Sequence, residues 1–307
     1  MTRYSAPRGP VALVLLVVLL QSRFVALADE TLKLHTRSQA PVQDSDGTTA
    51  APAVDKFVVV EKDIDCDPRH TALIICDMWD DHWCRGAAAR VTELAGPTNK
   101  LAHRARDLGM LVIHAPSTCV DFYKDMPGRR RAQSAPYAKP PLPLSDATRW
   151  GTRWCWPDPK REPALPIDDS DMGCDCAIHC EIRSPWTRQI ATIEIEEPDA
   201  ISDDGQEVYN LLEQRGIDRV LIAGVHLNMC VLGRSFAIRQ MVALGKQVVL
   251  VRDLTDTMYN SRMKPFTDHF RGTDLVVEHV ERHWCPTITS ADLSGGSPFR
   301  FREDKRK

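Results

Sequence analysis

The chain has 307 residues, a hydrophobic content of 43% and a formal net charge of −3. That length and apolar fraction suffice for one large core or two smaller ones. A near-neutral charge without a long basic stripe excludes nucleic acid as the main partner. No internal repeat of solenoid spacing is present, and the cluster Arg129, Arg130 and Arg131 reads as a solvated loop.

Arg3 and Arg8 precede the apolar run Val11 to Leu20, and Ala26-Leu27-Ala28 supplies a small-x-small cleavage pattern. The run falls well short of the roughly 20 residues of a membrane span. Residues 1–28 therefore read as a signal peptide cleaved near Ala28, with the product periplasmic or secreted; an uncleaved anchor is the alternative. Residues 29–55, rich in Ser, Thr, Asp, Ala and Pro, read as a flexible linker. Export bears on the ten cysteines, because an oxidising compartment permits disulfides. Cys76, inside an apolar strand, and Cys230, at a turn, are the least suited to pairing. The other eight are open to bridges whose connectivity spacing does not fix.

Phe57 to Val60 reads as an edge strand or a surface arm. Thr71 to Cys76 (TALIIC) is a buried strand that ends at Asp77, Gly96 to Leu108 a helix with Pro97 near its start, and Met110 to His114 the next strand. Residues 116–185, dense in proline, tryptophan and cysteine, break this rhythm. Structureless loops of such length are uncommon in compact domains, so the segment reads as an ordered, disulfide-stapled insertion over one end of the sheet. Beyond it come a strand from Ile190 to Ile195, a helix from Gly205 to Arg215, and a strand from Val220. A helix follows Cys230 to about Leu244, then a strand from Gln247 to Val251, a helical stretch from Pro265 to Phe270, a last strand from Leu275 to Glu278, and a tail over residues 291–307. Strands alternating with helices imply right-handed crossovers and an α/β fold with a mostly parallel sheet covered on both faces.

The stretch RVLIAGVHLNMCVLGRSFAI, residues 219–238, is the centre of the chain. It places Cys230 where a strand turns into a helix, and unpaired N–H groups and the helix dipole there favour a thiolate. A free cysteine serves equally well as a small buried apolar residue, and spacing alone does not choose. His226 and Asn228 flank the turn. Asp253, Asp256, Tyr259 and Asn260 follow the next strand at its carboxyl end, where ligands bind in such sheets, although Asp253 also suits a turn cap. Trp79, His82 and Trp83 make an aromatic, titratable rim beside Asp77, or else sheet-to-helix packing with His82 at the surface. His269 reads as structural. Cys174-x-Cys176-x3-Cys180, with His179, has the outline of a metal knuckle, and Asp81, His82 and Cys84 a second set of ligands. Structural zinc sites use a distant second cysteine pair, so in an exported chain these cysteines read as disulfides, with no metal site.

Two motifs resemble the isochorismatase-like cysteine hydrolases. TALIICDMWDD is similar to that family's first strand with its terminal aspartate, here Asp77. GVHLNMCV is similar to its nucleophile turn, with Cys230 in the nucleophile position. The resemblance covers a domain at residues 56–290, apart from the insertion. It implies a three-layer α/β/α sandwich around a six-stranded parallel sheet and an assembly into homo-oligomers. Its implied chemistry is cleavage of a C–N bond in a small amide, imide or ureido substrate, without cofactor, through an acyl-enzyme on Cys230. Asp77 would be the base, and a cis peptide between Val225 and His226 would turn N–H groups near Leu227 and Cys230 towards the oxyanion, with Trp79, His82, Asn228 and Arg188 lining the substrate site.

The sequence departs from that pattern at Leu227, where threonine is usual, at Trp79, where glutamine is usual, and at the catalytic lysine. The window WTRQIATIEIEEPDAISDDG holds no lysine, and Glu196 or Glu197 stands at its position. A carboxylate there would raise the pKa of Asp77 and Cys230 and disfavour the thiolate. Either Arg188 or a residue of the insertion supplies the positive charge, or the chain is a degenerate fold kept for binding or assembly. A vinyl-ether hydrolase of the isochorismate type is a further reading, less suited to a chain that carries the cysteine.

Overall fold

The computed structural model describes residues 1–2, 31–42 and 57–306. The signal peptide expected at 1–28 thus lies almost wholly outside the described residues. Among the described residues, no helix is long and apolar enough to cross a membrane.

The strands are β1 (Leu32–Pro41), β2 (Phe57–Cys66), β3 (Thr71–Cys76), β4 (Leu111–Ala115), β5 (Thr148–Arg149), β6 (Thr152–Arg153), β7 (Ala200–Ile201), β8 (Arg219–Val225), β9 (Gln247–Asp256) and β10 (Thr287–Ile288). The main helices are α1 (Arg85–Asp107), α2 (Pro127–Ser134), α3 (Gly205–Gln214), α4 (Ile238–Ala243) and α5 (His269–His283). Their core is β3 and β8, whose apolar runs are buried on both faces. Alternate side chains enter two cores. Ala72, Ile74 and Cys76 meet Val208, Met241 and Val276, from α3, α4 and α5. Leu73 and Ile75 meet Val91, Leu94 and Leu101 of α1. Each such fully buried Leu, Ile or Val contributes about 1.5–3 kcal/mol, which fixes the register of the central strands and hence of the loops at their carboxyl ends.

The sheet order is β2-β1-β10-β9-β8-β3-β4-β7. It has eight strands, not six. From β10 to β7 every pairing is parallel, and the two additional strands come from an antiparallel hairpin of β1 and β2 at one edge. Strand β1 falls inside the expected linker. Its sequence, LKLHTRSQAP, is polar because only Leu34 and Thr36 face the core. What holds it is pairing and a buried carboxylate, Glu281 on α5, which accepts from Arg37 at 2.7 Å and from Thr287 at 2.7 Å.

Other expectations shift for local reasons. Helix α1 begins at Arg85 rather than near Gly96, carrying Pro97 inside it, because Ala87, Arg90 and Val91 already bury a face. Residues 190–195 form turns rather than a strand. The β-branched run in 275–278 belongs to α5, where Val276, Val277 and Val280 recur at helical spacing. Around Cys230 the chain makes one π-helical turn, Leu227–Val231, and α4 starts only at Ile238. The C-terminal tail packs down, with Phe301 5.4 Å from Phe270.

The insertion is ordered but not stapled by disulfides: all ten cysteines are unbridged. Polar ties do that work. Buried Glu162 accepts from Arg239 at 2.6 Å, contacts His279 at 2.8 Å and accepts from Trp284 at 3.0 Å. Burial pushes its carboxyl up, but hydrogen bonds from His279, Arg239 and Trp284 outweigh that and hold it at about 2. Asp169 accepts from Asn228 at 2.8 Å, and Asp171 from Asn260 at 2.7 Å.

Glu281 should therefore govern the edge hairpin. Arg37→Ala leaves that buried carboxylate without its guanidinium and is expected to cost on the order of 3 kcal/mol. Denaturant unfolding and amide exchange across β1 and β2 would measure this. Unchanged protection of both strands would contradict it.

Candidate active site

The site lies beyond the carboxyl ends of β3 and β8. Two glycines permit its close approaches. Gly224, at φ +108°, would bring a Cβ to 2.0 Å from the Cys76 carbonyl oxygen, and a Cβ on Gly233 would lie 2.3 Å from the Trp154 ring. The Val225–His226 peptide bond is cis, at the position the resemblance implies. Leu227 is buried in the turn that follows, and Cys230 sits within it, 3% exposed.

Asp77 is fully buried at the tip of β3, in the left-handed region at φ 48°. Its Oδ1 accepts the Ser117 backbone N–H at 2.7 Å, which leaves Oδ2 to face Arg234 Nε at 3.2 Å. Arg234, 1% exposed, is the cation of the site. The insertion seats its guanidinium, which donates to Thr152 Oγ1 and to the Arg149 carbonyl and lies 5.5 Å from the Trp154 ring centre. The Cys155 N–H donates to the Gly233 carbonyl at 2.6 Å, so the insertion clasps the very turn that carries Arg234. Cys230 lies close enough to this ion pair for both charges to act on its thiol.

The charge balance at the thiol follows. Burial raises the Cys230 pKa well above its ordinary value; Arg234 pulls it down, and Asp77 pushes it up. Burial wins, so the resting group is a thiol and not the preformed thiolate that the helix-terminus argument suggests.

A cavity of about 660 Å³ opens over Cys230 and Arg234. Its walls are aromatic. Trp79 stacks on Trp186 at 4.4 Å and 13°, and is anchored by Nε1 donating to the Ser117 carbonyl at 3.1 Å. His82 is buried in this wall, not on the surface. Its Nδ1 accepts the Cys84 N–H at 3.1 Å, which assigns the ring proton to Nε2. Burial lowers its pKa to about 4. His226 packs edge-on at 4.9 Å, and burial keeps it well below its ordinary value, so both rings are neutral at pH 7. The His226 Nε2 is buried without a hydrogen-bond partner among the described residues.

The structure thus brings Cys230, Asp77, Trp79, His82, Val225, His226 and Leu227 together, and leaves three expected residues out. Glu196 lies on the surface with Arg106 at 3.4 Å and His103 at 3.3 Å, because 190–196 turns away from the sheet instead of extending it. Arg188 is exposed beside Asp80, 3.9 Å away. Asn228 spends its amide on Asp169 and on both backbone groups of Met258, holding loops together rather than facing the cavity. Asp253 anchors Ser290 and Phe299. Asp256 supports His269 at 2.8 Å and Arg90 at 2.7 Å behind the site. Arg234 is the residue that sequence reasoning missed. Its signal was present: it stands four residues after Cys230, so one helical turn carries both.

No family model and no curated protein matches the chain. Solved structures do. A cysteine hydrolase from Pseudomonas syringae pv. phaseolicola 1448A aligns at 16% identity and TM-score 0.45, over 75% of this chain and 92% of its own. An isochorismatase family protein from Desulfovibrio vulgaris subsp. vulgaris str. Hildenborough aligns at 19% and 0.41, over 73% and 96%. An isochorismatase from Pseudomonas putida KT2440 aligns at 14% and 0.43, over 74% and 91%.

The sign of each charge gives a test. Asp77→Asn removes the group that raises Cys230 and frees Arg234, so the thiol pKa falls. At fixed pH, alkylation of Cys230 by iodoacetamide should then speed up by roughly tenfold or more, since one unit is tenfold in thiolate. An unchanged or slower rate would refute the assigned contacts. His82 supplies another. Its folded pKa is depressed, so the stability it contributes is present above pH 6.5 and lost as pH falls towards about 4. Unfolding of His82→Phe, followed against pH, should show a shallower acid slope than the parent chain; an equal slope would contradict the shift.

Proposed function

We propose that the chain is a thiol-dependent hydrolase that cleaves a C–N bond of a small, flat amide, imide or ureido compound. The observation that carries this reading is the buried Asp77–Arg234 ion pair beside Cys230 at the base of an aromatic cavity. A thiol, a carboxylate and a fixed cation are what acyl transfer needs when no thiolate is preformed.

In this reading, substrate stacks against Trp79 and Trp186 and brings its carbonyl carbon to Cys230 Sγ. Entry of the substrate expels water and strengthens the charges within. Asp77 takes the thiol proton while Arg234 offsets the negative charge that passes to sulfur. The thiolate adds to the carbonyl, and the oxyanion faces backbone N–H groups of the turn from Leu227 to Cys230. Protonated Asp77 gives its proton to the departing nitrogen as the C–N bond breaks. Water, deprotonated by Asp77, then releases the acid and restores the thiol. The signal-like pattern before Asp29 adds to the proposal that this chemistry takes place in an exported protein.

The near-complete burial of Cys230 favours one other reading, a binding protein whose thiol is packing. A panel of aliphatic, cyclic and aromatic amides and ureides, scored by ammonia or amine release, separates the two. Release by the wild-type chain should fall by at least about a thousandfold in Cys230→Ala and in Asp77→Asn, and Arg234→Lys should retain more activity than Arg234→Gln. Equal release by wild type and Cys230→Ala would sink the nucleophile assignment, and binding without turnover would select the second reading.

A further inference from the structure

Outside the catalytic triplet, the molecule has a second gathering of sulfur. Cys84 at the start of α1 meets Cys174, Cys176 and Cys180 of the insertion. The Sγ atoms of Cys84, Cys174 and Cys176 all lie within 4.8 Å of one another, and those of Cys84 and Cys176 are 3.9 Å apart. Cys180 follows four residues after Cys176, close enough for the Cys174 and Cys176 thiols to act on its own. We propose that these four cysteines form a tetrathiolate site for zinc, which pins the insertion to the first turn of α1.

The geometry favours a shared ion over bridges. Four sulfurs about 2.3 Å from a tetrahedral zinc stand about 3.8 Å from one another, close to the observed Cys84–Cys176 separation. A disulfide instead draws two sulfurs to about 2.0 Å and turns them away from the rest. Here no pair is singled out among the three sulfurs that lie within 4.8 Å of one another. The distant partner that the cysteine spacing lacks is Cys84, remote in sequence and delivered by the fold.

The surroundings suit thiolates. The backbone N–H of Gly86 donates to Cys176 Sγ at 3.4 Å, and those of Arg85 and Ala87 bear on Cys180 and Cys84. These are free donors of the first turn of a 23-residue helix, whose first turn holds no acidic side chain. Arg262 donates to the Cys176 carbonyl at 2.8 Å, and Arg90 pairs with Asp175, between two of the ligands, at 2.7 Å. The Asp175 carboxylate, which accepts from Cys84 Sγ at 3.7 Å, adds negative charge here, and Arg90 offsets it.

The consequence for the cavity is direct. Trp83 adjoins Cys84, and Ile182, Arg183 and Ser184 follow Cys180; all four line the cavity. Zinc would hold both walls at a fixed spacing. Binding exchanges up to four thiol protons for the ion, with no change of oxidation state.

Metal analysis and thiol counting on the full chain test this, and neither depends on hydrolase activity. About one zinc per chain is expected, with four thiols that resist a disulfide reagent until a chelator is added. Cobalt(II) in place of zinc should give the intense visible bands of a tetrahedral thiolate ion. Cys180→Ser should weaken zinc by more than roughly tenfold, Cys155→Ser should not, and the metal-free chain should be cleaved faster by protease within residues 172–186. A mass four hydrogens below the reduced chain with no zinc, mapped to bridges among these cysteines, would overturn the proposal. So would four freely reactive thiols in a folded chain given equimolar zinc.

Discussion

The pairing of Arg234 with Asp77 sits where neither charge has access to water. Taking either ion out of solvent alone costs several kcal/mol, and their mutual attraction offsets this only when the remaining polar atoms are also satisfied. Ser117, Thr152 and the Arg149 carbonyl supply those partners, and all three come from segments outside the central strands. The insertion is consequently not an ornament on a finished sheet. Without it, the guanidinium would lose Thr152, the Trp154 ring and the backbone clasp on Gly233, and the thiol above it would lose its cation.

The same constraint explains why the thiol rests protonated. A cation that is shared with a buried carboxylate does not outweigh the burial of the thiol. The neutral histidines and the tryptophan stack extend this logic outward. His82 and His226 have been stripped of water without being given a counter-ion, which leaves the aromatic wall polar at its edges yet uncharged, while Arg183 and Arg234 supply the charge of the lining.

Much of the framework was legible in the sequence. The apolar runs at β3 and β8 are long and unbroken, so burial on both faces could be read directly, and with it the positions of Asp77 and Cys230 at adjoining strand ends. The elements that escaped are those held by distant partners. Strand β1 looks like linker because its stability resides in Glu281, far along the chain. The 190–196 stretch alternates like a strand, but after the Ile190 N–H bonds the Met78 carbonyl it turns away to side-chain partners such as Asn99, and Glu196 goes to the surface with it. The missing positive charge was sought upstream, at the spacing the resemblance implied, whereas the fold supplies it one turn downstream of the nucleophile. The gathering of sulfur escaped for the same reason: Cys174 and Cys176 are close in sequence, and only folding brings Cys84 to them.

The account stands or falls on whether Arg234 is the cation that serves Cys230. The most direct measurement is the ultraviolet titration of the Cys230 thiolate in the wild-type chain and in Arg234→Gln, with Cys230→Ala as the blank. Arg234 lowers the thiol pKa, so its removal should move the titration further to alkaline pH, and Arg234→Lys should restore part of the shift. A midpoint unmoved or lowered in Arg234→Gln, in a chain that remains folded, would contradict it.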